Sequence, residues 1–121
     1  MGLDSYVYVD DKATKDSNGI IELSDERNGI AYWRKCWFIH SYMAEYYQQN
    51  YDENEYDFNC IPVQLNQEML EVLLKVMSQE HLLDSLTGHS NISDYDIEEL
   101  QKVISYSKSN PDTPLYFYSW Y

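Results

Sequence analysis

Basic residues are scarce in this chain: 8 Lys+Arg stand against 21 Asp+Glu, giving a formal charge of −13 and a pI near 4.3. Nucleic-acid affinity comes mainly from Lys and Arg that neutralise phosphates and release counterions, so this balance disfavours direct binding of DNA or RNA. Glycine is also sparse, with four in 121 residues. The sequence holds no phosphate-cradling glycine-rich loop, no Gly-x-Ser-x-Gly elbow and no His-Glu-x-x-His pair, which removes the common catalytic frameworks. The two cysteines, Cys36 and Cys60, sit in no Cys-x-x-Cys or Cys/His cluster, so the spacing offers no zinc site. There is no basic leader with an apolar core, and no apolar run approaches bilayer length. These absences predict a cytoplasmic protein with reduced thiols, no membrane association and no cofactor.

What is present argues for an ordinary globular domain. Hydrophobic residues make up 44% and aromatics 16%, with 13 tyrosines. A chain of this length buries roughly two-thirds of the surface its unfolded form exposes, enough for one core, so residues 1–121 are read as a single domain.

Residues 3–9 alternate Leu3, Ser5, Val7 and Val9 with Asp4, Tyr6 and Tyr8, which predicts a strand with its apolar face inward. A polar surface loop with an Asn18-Gly19 turn follows, then a brief extended stretch at 20–23. From 30 to 48, Ile30, Trp33, Trp37, His40, Ala44 and Tyr47 recur at steps of three and four, which predicts a helix, with Asp25 and Glu26 favouring its positive end. Residues 59–63 can add a short extended piece, confined to a sheet edge by Pro62. Asn66 caps the next helix, with Leu65 and Leu70 as a hydrophobic staple and Leu70, Leu73, Val76 and Met77 as its core stripe; the element can reach Ser78 and continue, kinked or broken, through Leu82, Leu83 and Leu86 to a stop at Gly88. Ser93, with Asp96 at the third helical position, starts a last helix whose inner face is Ile97, Leu100 and Ile104. The aromatic run 115–121 reads as a strand beside the first one. The expected fold is therefore α+β: a small antiparallel sheet formed by the N- and C-terminal strands, packed against about three helices.

Two candidate surfaces emerge. The first is acidic and tyrosine-rich: Tyr51, Asp52, Glu53, Glu55, Tyr56 and Asp57 in a loop, with Asp94, Asp96, Glu98 and Glu99 at the start of the last helix. A negative field accelerates encounter with basic proteins, including those with a nucleic-acid groove, and tyrosine is favoured at interfaces. The same residues equally describe a solvated face that keeps the domain soluble. Exposed tyrosines are expected at Tyr6, Tyr8, Tyr46, Tyr51, Tyr56, Tyr116 and Tyr118. None of the acidic pairs follows the spacing of a calcium loop, and His81 and His89 lack a carboxylate pattern, so no metal site is expected.

The second surface centres on the aromatic and basic segment 32–40. An anion-binding site would use Asp4, Tyr6, Trp33, Arg34, Lys35, His40 and Trp120: Arg34 gripping a carboxylate or phosphate, a tryptophan wall, and His40 as proton donor or acceptor in any catalysis. Against that stands a structural reading in which Arg34 pairs with Glu45 or Asp4, and His40 is a hydrogen-bonded core histidine. Cavity lining by these side chains distinguishes the two.

Met1-Gly2-Leu3-Asp4-x-Tyr6, then Ala31-Tyr32-Trp33-Arg34-Lys35 with Ile39-His40, and the ending Tyr118-Ser119-Trp120, resemble a family of small proteins encoded by tailed bacteriophages and prophages. The chain departs from that pattern at Ser5 and Cys36-Trp37. The resemblance implies an accessory protein acting in the host cytoplasm on a host protein with a basic surface, such as a defence nuclease. The alternative is a ligand-binding domain or enzyme acting on an anionic metabolite or nucleotide through Arg34 and His40.

Overall fold

The computed structural model describes residues 2–50, 58–88 and 92–121, so the acidic loop at Tyr51, Asp52, Glu53, Glu55, Tyr56 and Asp57 lies outside the described residues, as does His89. The N-terminal alternation produces β1 (Asp4–Val9), with Ser5 and Val7 buried and Asp4, Tyr6 and Tyr8 half-buried on the opposite side. Two short strands, β2 (Thr14–Lys15) and β3 (Ile21–Glu22), form a hairpin turned at Gly19, whose φ of 83° suits a residue without a Cβ.

Residues 30–48 are not one helix: β4 (Asn28–Arg34) precedes α1 (Trp37–Asn50). The 3–4 spacing spans a junction, while within β4 the burial alternates, Ala31 and Trp33 inward and Tyr32 outward. Antiparallel pairing with β1 supplies the backbone partners that a helix would otherwise provide, with Tyr6 opposite Tyr32 and Asp4 opposite Arg34. Lys35 ends the strand at φ 57°, its N–H donating to Leu3 O at 2.7 Å. Asp25 and Glu26 accordingly precede a strand, not a helix.

β5 (Val63–Leu65) leads into α2 (Gln67–Thr87), capped by Asn66, whose side chain accepts from Met69 N at 2.8 Å. The helix runs unbroken through Ser78 and stops at Gly88, φ 80°. α3 (Asp94–Ser109) begins with the expected reciprocal capping box between Ser93 and Asp96. β6 (Leu115–Trp120) completes an antiparallel sheet ordered β4-β1-β6-β5, so the terminal strands are the central pair and the strand after Pro62 is at an edge.

The three helices cover one face. Val7, Ala31, Trp33, Leu115 and Phe117 from the sheet meet Ile39, Met43, Leu70, Leu73, Met77, Leu100 and Val103 from the helices in one core. Trp33 ties the layers together, its Nε1–H donating to Asp96 O at 2.9 Å. Two details depart from the sequence reading. Val76 of the supposed core stripe is 38% exposed, and Asp10, expected on the surface, is buried. Asp10 is retained inside because its carboxylate accepts from Ser24 N, Ser24 Oγ and Lys12 N, so its charge is solvated by the chain itself. Those bonds fasten the 10–24 loop to the end of β1.

Candidate functional site

The uncovered face of the sheet is paved with aromatic side chains. Register places Tyr6 between Tyr32 and Tyr118, and Tyr8 opposite Tyr116, with Trp120 opposite Asp4. The rings form a connected layer: Tyr6 stacks on Tyr8 at 5.4 Å and leans on Tyr32 at 5.1 Å, and Tyr8 meets Tyr118 at 6.2 Å. Tyr116 departs from its expected exposure; it is buried beside Asp10 and Asp11, at the end where Lys15 of the hairpin donates to Gln64 Oε1 at 3.2 Å. The remainder of the face is open, with Trp120 51% exposed.

The phenols of Tyr6, Tyr32 and Tyr118 are held protonated. Burial, then the Asp4 charge, raises Tyr6; the hydrogen bond to Asp4 raises Tyr32; a hydrogen bond with Cys60, then burial, raises Tyr118. The face thus offers neutral rings and hydroxyls beside carboxylates. One cation already uses it: the Arg27 guanidinium lies 5.3 Å from the centre of the Tyr8 ring. An open hollow of about 350 Å³ extends from Tyr6 and Tyr32 to Glu99 and Lys102 of α3.

The residues expected to form an anion site divide between the two sides of the sheet. Asp4, Tyr6, Arg34 and Trp120 belong to the open face. Trp33 and His40 are buried on the helix side, Trp33 from β4 and His40 from α1, so the two do not share one helix face as the spacing suggested, and the sheet lies between them and Arg34. His40 is the hydrogen-bonded core histidine: Nδ1 lies 2.7 Å from Ser119 Oγ, and its ring packs against Trp37, Phe58 and Tyr121. Burial lowers its pKa, so it is neutral at physiological pH. Ser119 is fully buried, so the pair lies within the core.

Arg34 is exposed opposite Asp4 and forms no ion pair among the described residues, with Asp4 Oδ1 instead accepting from Tyr32. Lys35 points to a separate groove of about 540 Å³ between α1 and α2, lined also by Trp37, Phe38, Tyr42 and Glu80. Cys36 is buried, and that burial pushes its thiol up to about 11.

The acidic start of α3 is partly committed to the fold. Asp96 is buried in the capping box, Asp94 holds His81 Nε2 at 2.9 Å, and Glu99 is bridged by Lys102, while Glu98 is exposed. Among the described residues no group of His, Cys, Asp and Glu is arranged to hold a metal ion, and no helix is long and apolar enough to cross a membrane. Sequence reading missed the tyrosine pavement as a unit. Its members were visible singly, but the strand nature of Tyr32, which completes it, was not. Compared with known proteins, the chain matches no family model, no curated protein and no solved structure.

Proposed function

We propose that this chain is a binding protein that engages an arginine-bearing basic partner through the tyrosine-paved face of its sheet. The single observation that carries the reading is Arg27 over Tyr8: the face already accommodates one guanidinium, and its unoccupied rings, Tyr6, Tyr32 and Trp120, offer the same surface to others. Tyrosine and tryptophan provide large contact area at low entropic cost, and arginine is the complementary residue enriched at interfaces. Asp4 and Glu99 border the face, and a net charge of −13 speeds approach of a positive partner. A basic host protein that handles nucleic acid, met in the cytoplasm by a phage-type accessory protein, has this chemistry, and the motif resemblance at both termini favours that setting.

The catalytic alternative through Arg34 and His40 has weaker support, because the sheet separates the two side chains and His40 is buried in a hydrogen bond with Ser119. The test is binding to a basic nuclease and to an arginine-rich peptide, followed by fluorescence of Trp120 across a salt series. Binding that weakens with salt and is lost in Tyr6→Ala and Trp120→Ala supports the reading. Absence of binding at low salt, or affinity indifferent to both substitutions, contradicts it.

A further inference from the structure

Of the nine exposed large hydrophobic side chains among the described residues, five lie on α2. Four of these, Val72, Val76, Leu83 and Leu86, join Gln79 in a run spaced four, three, four and three, which is the seam spacing of paired helices. The run spans two heptads, about four turns of helix. The fold leaves it largely uncovered: α2 turns Leu70, Leu73 and Met77 into the core, and the seam residues occupy its flank, with Val76 bordering the groove beside α1 and the four apolar ones 38% to 76% exposed. An apolar stripe of this length on a chain so rich in charge marks an interface.

We propose that the stripe pairs with the same stripe of a second copy, with the two α2 helices parallel. Charge specifies the occupant. With Val76 and Leu83 at the first seam position of each heptad, Lys75 stands just before the seam and Glu80 just after Gln79. In parallel helices a residue at the first of these positions faces the residue five places on in the partner, so Lys75 meets Glu80 of the second copy, twice in each dimer. Neither residue has an ion-pair partner within the chain among the described residues. A uniformly basic partner helix would gain from Glu80 and be repelled by Lys75, whereas a second copy satisfies both. Gln79, polar within the seam, pairs with its own counterpart and fixes the register. The stripe belongs to the helix layer, across the sheet from the aromatic face, so dimerisation leaves both aromatic faces open and the proposal stands independently of the basic-partner reading.

Sedimentation equilibrium of the full chain over a concentration series tests it. A monomer–dimer equilibrium is expected, and Leu83→Glu, at a 56% exposed position, gives a monomer with unchanged circular dichroism. Lys75→Glu and Glu80→Lys singly weaken dimerisation about tenfold, two surface ion pairs being replaced by repulsions, and the double variant restores it. A chain monomeric at every concentration overturns the proposal, as does a dimer insensitive to Leu83→Glu or one that the charge exchange fails to restore.

Discussion

Tyr32 donates its phenolic hydrogen to Asp4 Oδ1 at 2.5 Å, a bond that crosses the β1–β4 pair on the open face of the sheet. It holds the ring upright beside Tyr6 and leaves Asp4 hydrogen-bonded next to the aromatic layer. The bond requires the protonated phenol, which is why the Tyr32 pKa stands above 10.0. Its stabilisation is therefore fully present below the unfolded value and disappears as pH rises through the higher folded value. In Asp4→Asn, spectrophotometric titration is expected to show Tyr32, and with it Tyr6, whose pKa the Asp4 charge also raises, ionising at lower pH than in the wild type. An unchanged tyrosine titration would contradict this account of the face.

His40 carries the opposite sign at acid pH. Burial depresses its pKa below 6.5, so the unfolded chain takes up the proton first. Thermal stability is expected to decline as pH falls from 7 through 6.5 and towards the folded value, and His40→Gln should flatten that decline. A variant with the same slope as the wild type would place the effect elsewhere.

Asp10 governs the 10–24 loop. Burial opposes its charge, but the bonds from Ser24 and Lys12 and the proximity of Arg27 outweigh that and lower its pKa below 3.8. Its contribution is present above the unfolded pKa and is lost as pH falls through the folded one. Asp10→Ala leaves the Ser24 and Lys12 amides without their acceptor and is expected to cost about 1–3 kcal/mol in denaturant unfolding. Increased hydrogen exchange should centre on residues 12–24. Exchange spread evenly over the chain would count against a local clasp.

The two thiols differ sharply. Cys36 is buried with its pKa raised to about 11, while Cys60 is exposed at the end of the 58–60 segment. A thiol reagent at neutral pH is expected to modify one cysteine in the native protein and both in denaturant. Modification of Cys36 without unfolding would overturn its placement in the core.

Much of this architecture was legible from local signals. The alternation in β1, the aromatic run of β6, the side-chain caps at Asn66 and Ser93, and the glycine stop at 88 each act within a few residues, and each appears as expected. The errors concern choices made by distant partners. β4 is a strand because β1 lies beside it, although Trp33, Trp37 and His40 fall at helical steps along the chain. Asp10 is buried because Ser24, fourteen residues away, provides its donors. The open aromatic face inherits the first error: with Tyr32 placed on a helix, Tyr6 and Tyr118 had no third neighbour. The anion-site set is divided for the same reason, since a strand sends Trp33 and Arg34 to opposite sides of the sheet.

The most direct measurement of the central claim is residue-resolved NMR of the labelled chain during titration with an arginine-rich peptide at low and high salt. The account predicts salt-sensitive shifts concentrated on Tyr6, Tyr8, Tyr32, Tyr118 and Trp120, with the buried pair His40 and Ser119 undisturbed. Shifts confined to the helix layer, or none at low salt, would contradict it.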